Sequence, residues 1–281
     1  METAQTDPAF SLFQAATADA LDCMETHRPD DARVHSARKA LKRARAALRL
    51  LRPALSVETF ERENRALRDA ARFLSPLRDA MSLYAAVDLL EYGPGDVEGI
   101  GGALVILKKT LKKRLVQARN DFADGAMRRN CADLVSACRE RFQHPATVND
   151  ETRLVGLRKI YRKARRTFAR AGKERTPEAL HEWRKQTKYL HTATSVLRSS
   201  GMDHLRKVME LTHEIADCLG DDHDLAQLRH EVDHLRVNDH ESSALRAAID
   251  ERREKKERQA IATGSSVFRK KPRRFVESLS R

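Results

Sequence analysis

HSARKALKRARAALRLLR, residues 35–52, decides the reading of the whole chain. Val34, Ala37, Leu41, Ala44, Leu48 and Leu51 recur at intervals of 3 and 4, the spacing that places side chains on one face of an α-helix. A second series with the same spacing, His35, Arg38, Lys42, Arg45, Arg49 and Arg52, follows one residue later and lies about 100° around that helix. A polar row of cations therefore borders the core stripe. Eight Lys and Arg stand between positions 32 and 55 with no Asp or Glu among them. Helices usually lace such rows with Glu one turn away, and leaving them unlaced costs a few tenths of a kcal/mol per like-charge pair. An external anion is expected to supply the missing charge.

The composition supports the helical reading. In 281 residues there are only 11 Gly and 8 Pro, aromatics make up 5%, and Ala, Leu, Arg, Lys and Glu dominate. That length buries a sizeable core, as one large domain or two smaller ones. A formal charge of +13 concentrates polyanions around the protein, leaving nucleic acid, anionic membrane and inorganic phosphate polymers as candidate partners. Cys23, Cys131, Cys138 and Cys218 show no C-x-x-C spacing and sit in apolar helical patterns, which suggests buried reduced thiols. The N-terminus lacks the pattern of a secretory signal, and no apolar run approaches the roughly 20 residues that span a bilayer. A soluble, cytoplasmic protein is expected, with polyphosphate granules as an associated location if that polymer is the ligand.

Apolar periodicity predicts long helices over about 8–27, 31–55, 57–91, 101–142 with a break near Gly125, 148–172, 177–200, 203–236 and 240–262. Turns fall at His27-Arg28-Pro29-Asp30, at 93–96, at His144-Pro145, at 175–177 and at 199–201. Thr176 before Pro177 reads as a helix N-cap. Gly-Ile-Gly-Gly at 99–102 lacks both a preceding strand and the phosphate-loop spacing, so it reads as an interhelix turn. No period-2 alternation of useful length predicts a strand. Beyond residue 262 the tail carries five cations within 269–274, as a mobile arm or a short docked segment.

The chain repeats itself. His35-x-x-Arg38-Lys39-x-x-Lys42 returns 146 residues later as His181-x-x-Arg184-Lys185-x-x-Lys188. Leu74-Ser-Pro-Leu-Arg78-Asp79 returns 145 residues later as Leu219-Gly-Asp-Asp-His223-Asp224. Two elements in the same order at nearly the same offset imply two homologous halves, 8–143 and 147–262, followed by the basic tail 263–281. In the second half Leu180, Trp183, Thr187, Leu190, Thr194 and Leu197 form the apolar row, and His181, Arg184, Lys188, His191, Ser195 and Arg198 the polar one. Short turns make neighbouring helices antiparallel, so each half is expected to be a four-helix bundle, the two docked with pseudo-two-fold symmetry that brings both polar rows to one surface.

This pairing of two H-x-x-R-K-x-x-K helices with two later L-[SG]-x-x-[RH]-D segments resembles the conserved histidine α-helical domain, CHAD, over roughly residues 8–262. The resemblance implies an all-α unit of two four-helix bundles with a basic central surface, and binding of inorganic polyphosphate. Many relatives carry a fused triphosphate-tunnel enzyme domain, for which this chain has no room, so no such activity is carried over. The second half departs from the first at His223, where the first has Arg78, and at Ser195, where it has Arg49.

From His35 to Arg52 the row spans about 26 Å at 1.5 Å per residue, which suits an unbranched polyanion laid lengthwise. Arg grips two phosphate oxygens in its planar fork, and Lys acts as a compact charge. The expected binding set is His35, Arg38, Lys39, Lys42, Arg45, Arg49 and Arg78 from the first half, and His181, Arg184, Lys185, Lys188, His191 and His223 from the second. Arg162 and Arg166, in a stretch (153–173) of nine cations without an acid, and Lys112, in one (108–119) of six, border the same groove. The histidines read as phosphate-oxygen donors whose protonation strengthens binding as pH falls through about 6.5. Asp79 and Asp224 are expected to orient neighbouring cations. The Asp221-Asp222-His223-Asp224 run is the one candidate metal cluster, but neighbouring positions on a helix do not face one another. No metal and no cofactor is expected.

Sequence-nonspecific nucleic-acid binding is the rival reading, since the phosphate term is common to both ligands. Single-strand binders add aromatic platforms, whereas Tyr161, Trp183 and Tyr189 are nearly the only aromatics near the basic segments. Neither a carboxylate-held metal nor an activated nucleophile for phosphoryl transfer is evident, so the expectation is a non-catalytic binder. No helix pairs a basic face with bulky aromatics as a membrane-surface helix does.

Overall fold

The computed structural model describes residues 7–25, 31–91, 100–142, 148–199 and 201–279, and among these every regular element is helical. The first half supplies α1 (Pro8–Glu25), α2 (Asp31–Leu51), α3 (Val57–Phe73), α4 (Ser75–Ala86), α5 (Asp88–Glu91), α6 (Gly101–Ala123) and α7 (Ala126–Arg141). The second supplies α8 (Asp150–Glu174), α9 (Pro177–Ser199), α10 (Arg206–Val232), α11 (Asp239–Val267) and the short α12 (Pro272–Glu277). The expected turns at 27–30, 93–96 and 144–145 lie outside the described residues, as do Gly99 and Ser200.

Local chemistry sets the helix ends. Ser56, Asn149 and Asn238 each accept a hydrogen bond from the backbone N–H three residues on, and Thr176 caps α9 through Ala179 N, as the Thr-Pro pair implied. Gly125, at φ 81° in the left-handed region, makes the break between α6 and α7. The helix expected over 57–91 is instead three pieces. Pro76 has no N–H to donate and clashes with the preceding turn, so α3 ends before it and α4 restarts with the proline in its first turn. The helix expected to end at 262 continues to Val267, and the expected 203–236 helix opens on a 3-10 turn at 203–205 and stops at Val232.

α2 is the central helix, packed against α1, α3, α4, α8 and α9. Its predicted stripe is buried, and Ala40, Ala46, Ala47 and Leu50 are buried as well, so water is excluded from more of its circumference than one stripe. The predicted apolar row of α9, from Leu180 to Leu197, is buried in full. Each of the larger of these side chains contributes about 1.5–3 kcal/mol on leaving water. The main core is continuous from Phe13 on α1 to Phe275 on α12, so the halves share one interior. A smaller core joins α4–α6 to α10 and α11 through residues such as Leu83, Leu107, Leu228 and Leu245.

α8 crosses α2 with backbone against backbone. A Cβ at Gly156 would meet the Leu50 carbonyl oxygen at 2.3 Å, and no side chain is there to give way. Gly156→Ala is therefore expected to cost about 1–3 kcal/mol in urea unfolding. Gly172→Ala on the same helix, where nothing lies within 4 Å, should be neutral or stabilising by about 0.5–1 kcal/mol.

Candidate functional site

The crossing of α2 and α9 brings the two polar rows together at their centres. Lys42 feels Lys188 and Arg184 from α9, Arg38 from its own helix and Arg78 from α4. The site is an open surface: Lys42 is exposed, and Arg38, Arg78, Arg184 and Lys188 are half-buried around it.

The breaks in the helices aim the arginines. The α3–α4 run breaks at Leu74, ahead of Pro76, and the Ala71 carbonyl in the last turn of α3 accepts from Ser75 Oγ at 3.3 Å. Arg38 joins the same two groups, donating from Nη1 to Ala71 O at 3.1 Å and to Ser75 Oγ at 2.5 Å, with Nη2 4.0 Å from Asp79 Oδ1. Arg78 donates to Ser82 Oγ one turn along α4, and Ser82 donates to Asp224 Oδ2 at 3.4 Å, which ties α4 to α10. In the second half α10 runs unbroken, and Arg184 finds the Ala216 carbonyl at 3.4 Å only by lying against Gly220, where a Cβ would stand 3.0 Å from its Nη2.

Electrostatics reveal the imbalance. Desolvation of its ammonium by the surrounding protein, together with Lys188, Arg38, Arg184 and Arg78, pushes Lys42 down to about 7, against the pull of the Asp79 carboxylate. Burial and Arg184 hold Lys188 at about 8, against the pull of Asp217 and Asp224. The His181 and His223 rings lie 4.5 Å apart, and burial with neighbouring cations pushes each to about 4. His35 is lowered by burial and by Arg78, Lys39, Lys42 and Lys188. It lines a cleft of about 360 Å³ with Arg78, Ser82, Asp221 and Asp224. Burial raises Asp79 and Asp224 while the surrounding arginines pull them down.

The rest of the first row is engaged within the protein. Asn64 Oδ1 accepts from Arg45 Nε at 3.1 Å and Arg49 Nη1 at 2.8 Å, and the Arg49 guanidinium lies 4.1 Å from the Tyr189 ring centroid. The long basic row is thus two groups, divided between Lys42 and Arg45. The second group continues through Lys163 of α8, which has Arg49, Lys185 and Arg166 around it, and Glu182 of α9 neutralises part of it by pairing with Lys185. His191 Nδ1 donates to Met209 O at 3.0 Å, and its ring stacks 5.2 Å from His213. Lys39 is exposed near His35, Arg162 is exposed on the outer face of α8, and Lys112 is exposed on α6, joined to neither group. The acidic run fans outward: Asp222 is buried against Arg253 at 3.0 Å, Asp221 pairs with Lys256 at 2.7 Å, and Asp224 turns to Ser82. Among the described residues no group of three His, Cys, Asp or Glu is placed to hold a metal.

Sequence reasoning missed the residues that do the aiming, Ser75, Ser82, Asn64, Gly220 and Tyr189, together with Lys163. Ser82 had a signal, standing one helical turn after Arg78; Asn64 and Tyr189 had none, because their roles depend on which helices pack together.

The family profile described as the CHAD domain matches residues 12–233. The chain belongs to the CHAD domain family. Among solved structures it is similar to PptA from Streptomyces chartreusis at 15% identity, over 94% of this chain and 99% of that one, with a TM-score of 0.67. A second is the CHAD domain from the plant Ricinus communis, at 13% identity over 98% of this chain and 90% of that one, with a TM-score of 0.49. The likeness to PptA shows a shared fold. No curated protein sequence matches the chain significantly. Within the CHAD fold, the central cations come from α2, α4 and α9, and α10 adds His223 and Asp224 beside them.

Competitive acylation of lysines, read by mass spectrometry across pH, should report Lys42 titrating near 7, against roughly 10.4 for an ordinary lysine. Replacing Arg184 by Gln removes one of the cations and should raise that value. A Lys42 that titrates like a surface lysine would mean its neighbours are already neutralised.

Proposed function

We propose that this CHAD protein binds inorganic polyphosphate at the α2–α9 crossing and performs no chemistry on it. The observation that carries the reading is the convergence of Arg38, Lys42, Arg78, Arg184 and Lys188 on one solvent-open surface, where four of these cations act together on Lys42 and Asp79 pulls against them. Such a surface has unspent positive potential, and an anion with a charge on every repeat unit satisfies several groups at once. The guanidinium forks, anchored on Ala71 O, Ser75, Ser82 and Ala216 O, keep their remaining N–H groups for phosphate oxygens.

Two features favour this ligand over nucleic acid. Tyr161, Trp183 and Tyr189 are all buried, and the exposed large apolar side chains among the described residues are Val57, Val105, Ile106 and Val116, none of them aromatic. Bases would find no platform to stack on. A nucleophilic role for the cysteines has no support either, since all four are buried and burial pushes Cys131 to about 12. Among the described residues no helix is long and apolar enough to cross a membrane.

Replacing Arg38, Lys42, Arg184 and Lys188 together by Gln should abolish polyphosphate binding and leave the helical circular dichroism unchanged; retained affinity would refute the site. In competition at matched phosphate concentration and physiological salt, long-chain polyphosphate should displace single- and double-stranded DNA and RNA, and parity would promote the nucleic-acid reading.

The pH dependence follows from the depressed values. A bound anion pulls Lys42 and Lys188 back up from about 7 and 8, so binding takes up protons and affinity falls as pH rises through that range. On the acid side His181 and His223 stay neutral in the free protein until about 4. Affinity should therefore go on rising below 6.5, where ordinary histidines would already be charged without ligand. Titration calorimetry in two buffers of different ionisation enthalpy measures the proton uptake; none at neutral pH would contradict the proposed contacts.

A further inference from the structure

The C-terminal segment is fixed in place by a set of contacts unusual for a terminus so basic. Tyr161 of α8 donates to two backbone carbonyls, Val267 O at 3.0 Å and Lys270 O at 2.9 Å, and its ring stacks on Phe275 with centroids 3.9 Å apart. Arg165 donates to Phe268 O at 3.0 Å, and Phe268 packs on Phe168. Gly264 lets α11 come in close: a Cβ there would meet the Phe168 and Trp183 rings at 2.7 and 2.8 Å. These contacts hold Arg269, Lys270, Lys271, Arg273 and Arg274 against α8, the most basic helix of the chain, in a region past the residues that the family profile matches.

The cations on both sides are open to solvent. Arg158, Lys159, Arg162 and Arg166 on α8, and Arg269, Lys271 and Arg274 on the segment, are exposed, and among the described residues no carboxylate pairs with any of them. At about 100° per residue, Lys163, Arg166, Arg162, Arg158 and Arg165 succeed one another around the outer half of α8. Lys163 stands at one end of that arc, beside Arg49 and Lys185, and Arg165 at the other, beside the docked segment. A band of positive charge therefore leaves the α2–α9 crossing, passes over α8 and ends on α12.

We propose that this band is a second polyphosphate-gripping face, reached only by chains long enough to pass from the central site over α8 to the docked C-terminal segment. The inference rests on the polyphosphate reading of the central site and adds chain-length discrimination to it. A short chain satisfies the central cations and ends there. A long chain continues along the band, and each further phosphate is engaged at high effective concentration because the polymer is already held.

The test uses the full chain with Arg269, Lys271 and Arg274 replaced by Gln, which leaves Tyr161, Phe268 and Phe275 untouched, and two probes, tripolyphosphate and long-chain polyphosphate. The variant should keep the tripolyphosphate affinity of the parent and lose about tenfold or more for the long chain, as expected when part of a multivalent grip is removed. Its long-chain affinity should also depend less steeply on salt, by roughly one unit of slope for each phosphate that the band no longer neutralises. A second variant, Phe275→Ala, releases the segment without removing charge and should lose long-chain affinity in the same direction. Unchanged long-chain affinity and salt slope in the Gln variant would overturn the second face while leaving the central site intact. A parent protein that binds neither probe would overturn the polyphosphate reading itself. If the Gln variant lost retention of single-stranded RNA and kept all of its polyphosphate affinity, the band would belong to nucleic acid.

Discussion

Lys42 and Lys188 are brought to one place by two helices whose backs are buried in the same core, and the rest of the site follows from that constraint. Two unit charges about 4 Å apart repel by about 1 kcal/mol in bulk water and by about 4 kcal/mol at the effective dielectric of a protein surface. The site holds more than one like-charged pair, and both lysines are depressed, by burial first and by the neighbouring cations second. What resists it is the apolar face beneath. Leu41, Leu48 and Leu51 on α2 and Leu180, Trp183 and Leu190 on α9 are all fully buried, at about 1.5–3 kcal/mol for each of the larger side chains. A bound anion relieves the same repulsion from outside, so part of the binding energy is stored in the folded, free protein.

The two halves aim their arginines by different means. In the first, the α3–α4 run breaks ahead of a proline, and the Ala71 carbonyl and Ser75 hydroxyl at the break give Arg38 a fixed anchor with Asp79 beside it. In the second there is no break, the Ala216 carbonyl is already engaged in its helix, and Arg184 reaches it at 3.4 Å across the flat surface that Gly220 provides. The repeated segment therefore places a guanidinium at a helix break in one copy and across a missing side chain in the other. His223, which replaces Arg78 in the repeat, removes one cation from the second copy, and Arg78 itself is linked to Asp224 of α10 through Ser82.

What the sequence revealed and what it concealed divide along a physical line. Periodicity reports which face of a helix meets the core, and all twelve positions of the two apolar rows, from Val34 to Leu51 and from Leu180 to Leu197, are buried. The repeated charged motif falls on α2 and α9, and cations from both of its copies meet at Lys42. Neither signal says what a side chain beside the stripe will touch. Arg45 and Arg49 share the spacing of Arg38 and Lys42 but lie where Asn64 of α3 and Tyr189 of α9 approach, and those approaches are set by tertiary packing. The break before Pro76 was readable from the proline, yet the apolar periodicity continues through it and suggested one helix. The lowered histidines were not readable, since each depends on burial and on cations from another helix.

Those histidines explain how a site can be strongly basic and still fold without its ligand. Had His181, His223 and His35 been lysines or arginines, three further charges would stand among Arg78, Arg184, Lys42 and Lys188 before any anion arrived, with the repulsion scaling as the number of pairs. A neutral donor avoids this: an uncharged imidazole still presents an N–H to a phosphate oxygen. When an anion arrives, its negative charge opposes the cations that kept the imidazole neutral, and protonation becomes favourable at the moment the extra charge is useful. Lys42, at about 7, behaves in the same way from the other side of neutrality. If the surface binds an anion as proposed, its positive charge is partly latent: smallest when the surface is free, where charge opposes folding, and largest when it is occupied, where charge would hold the ligand.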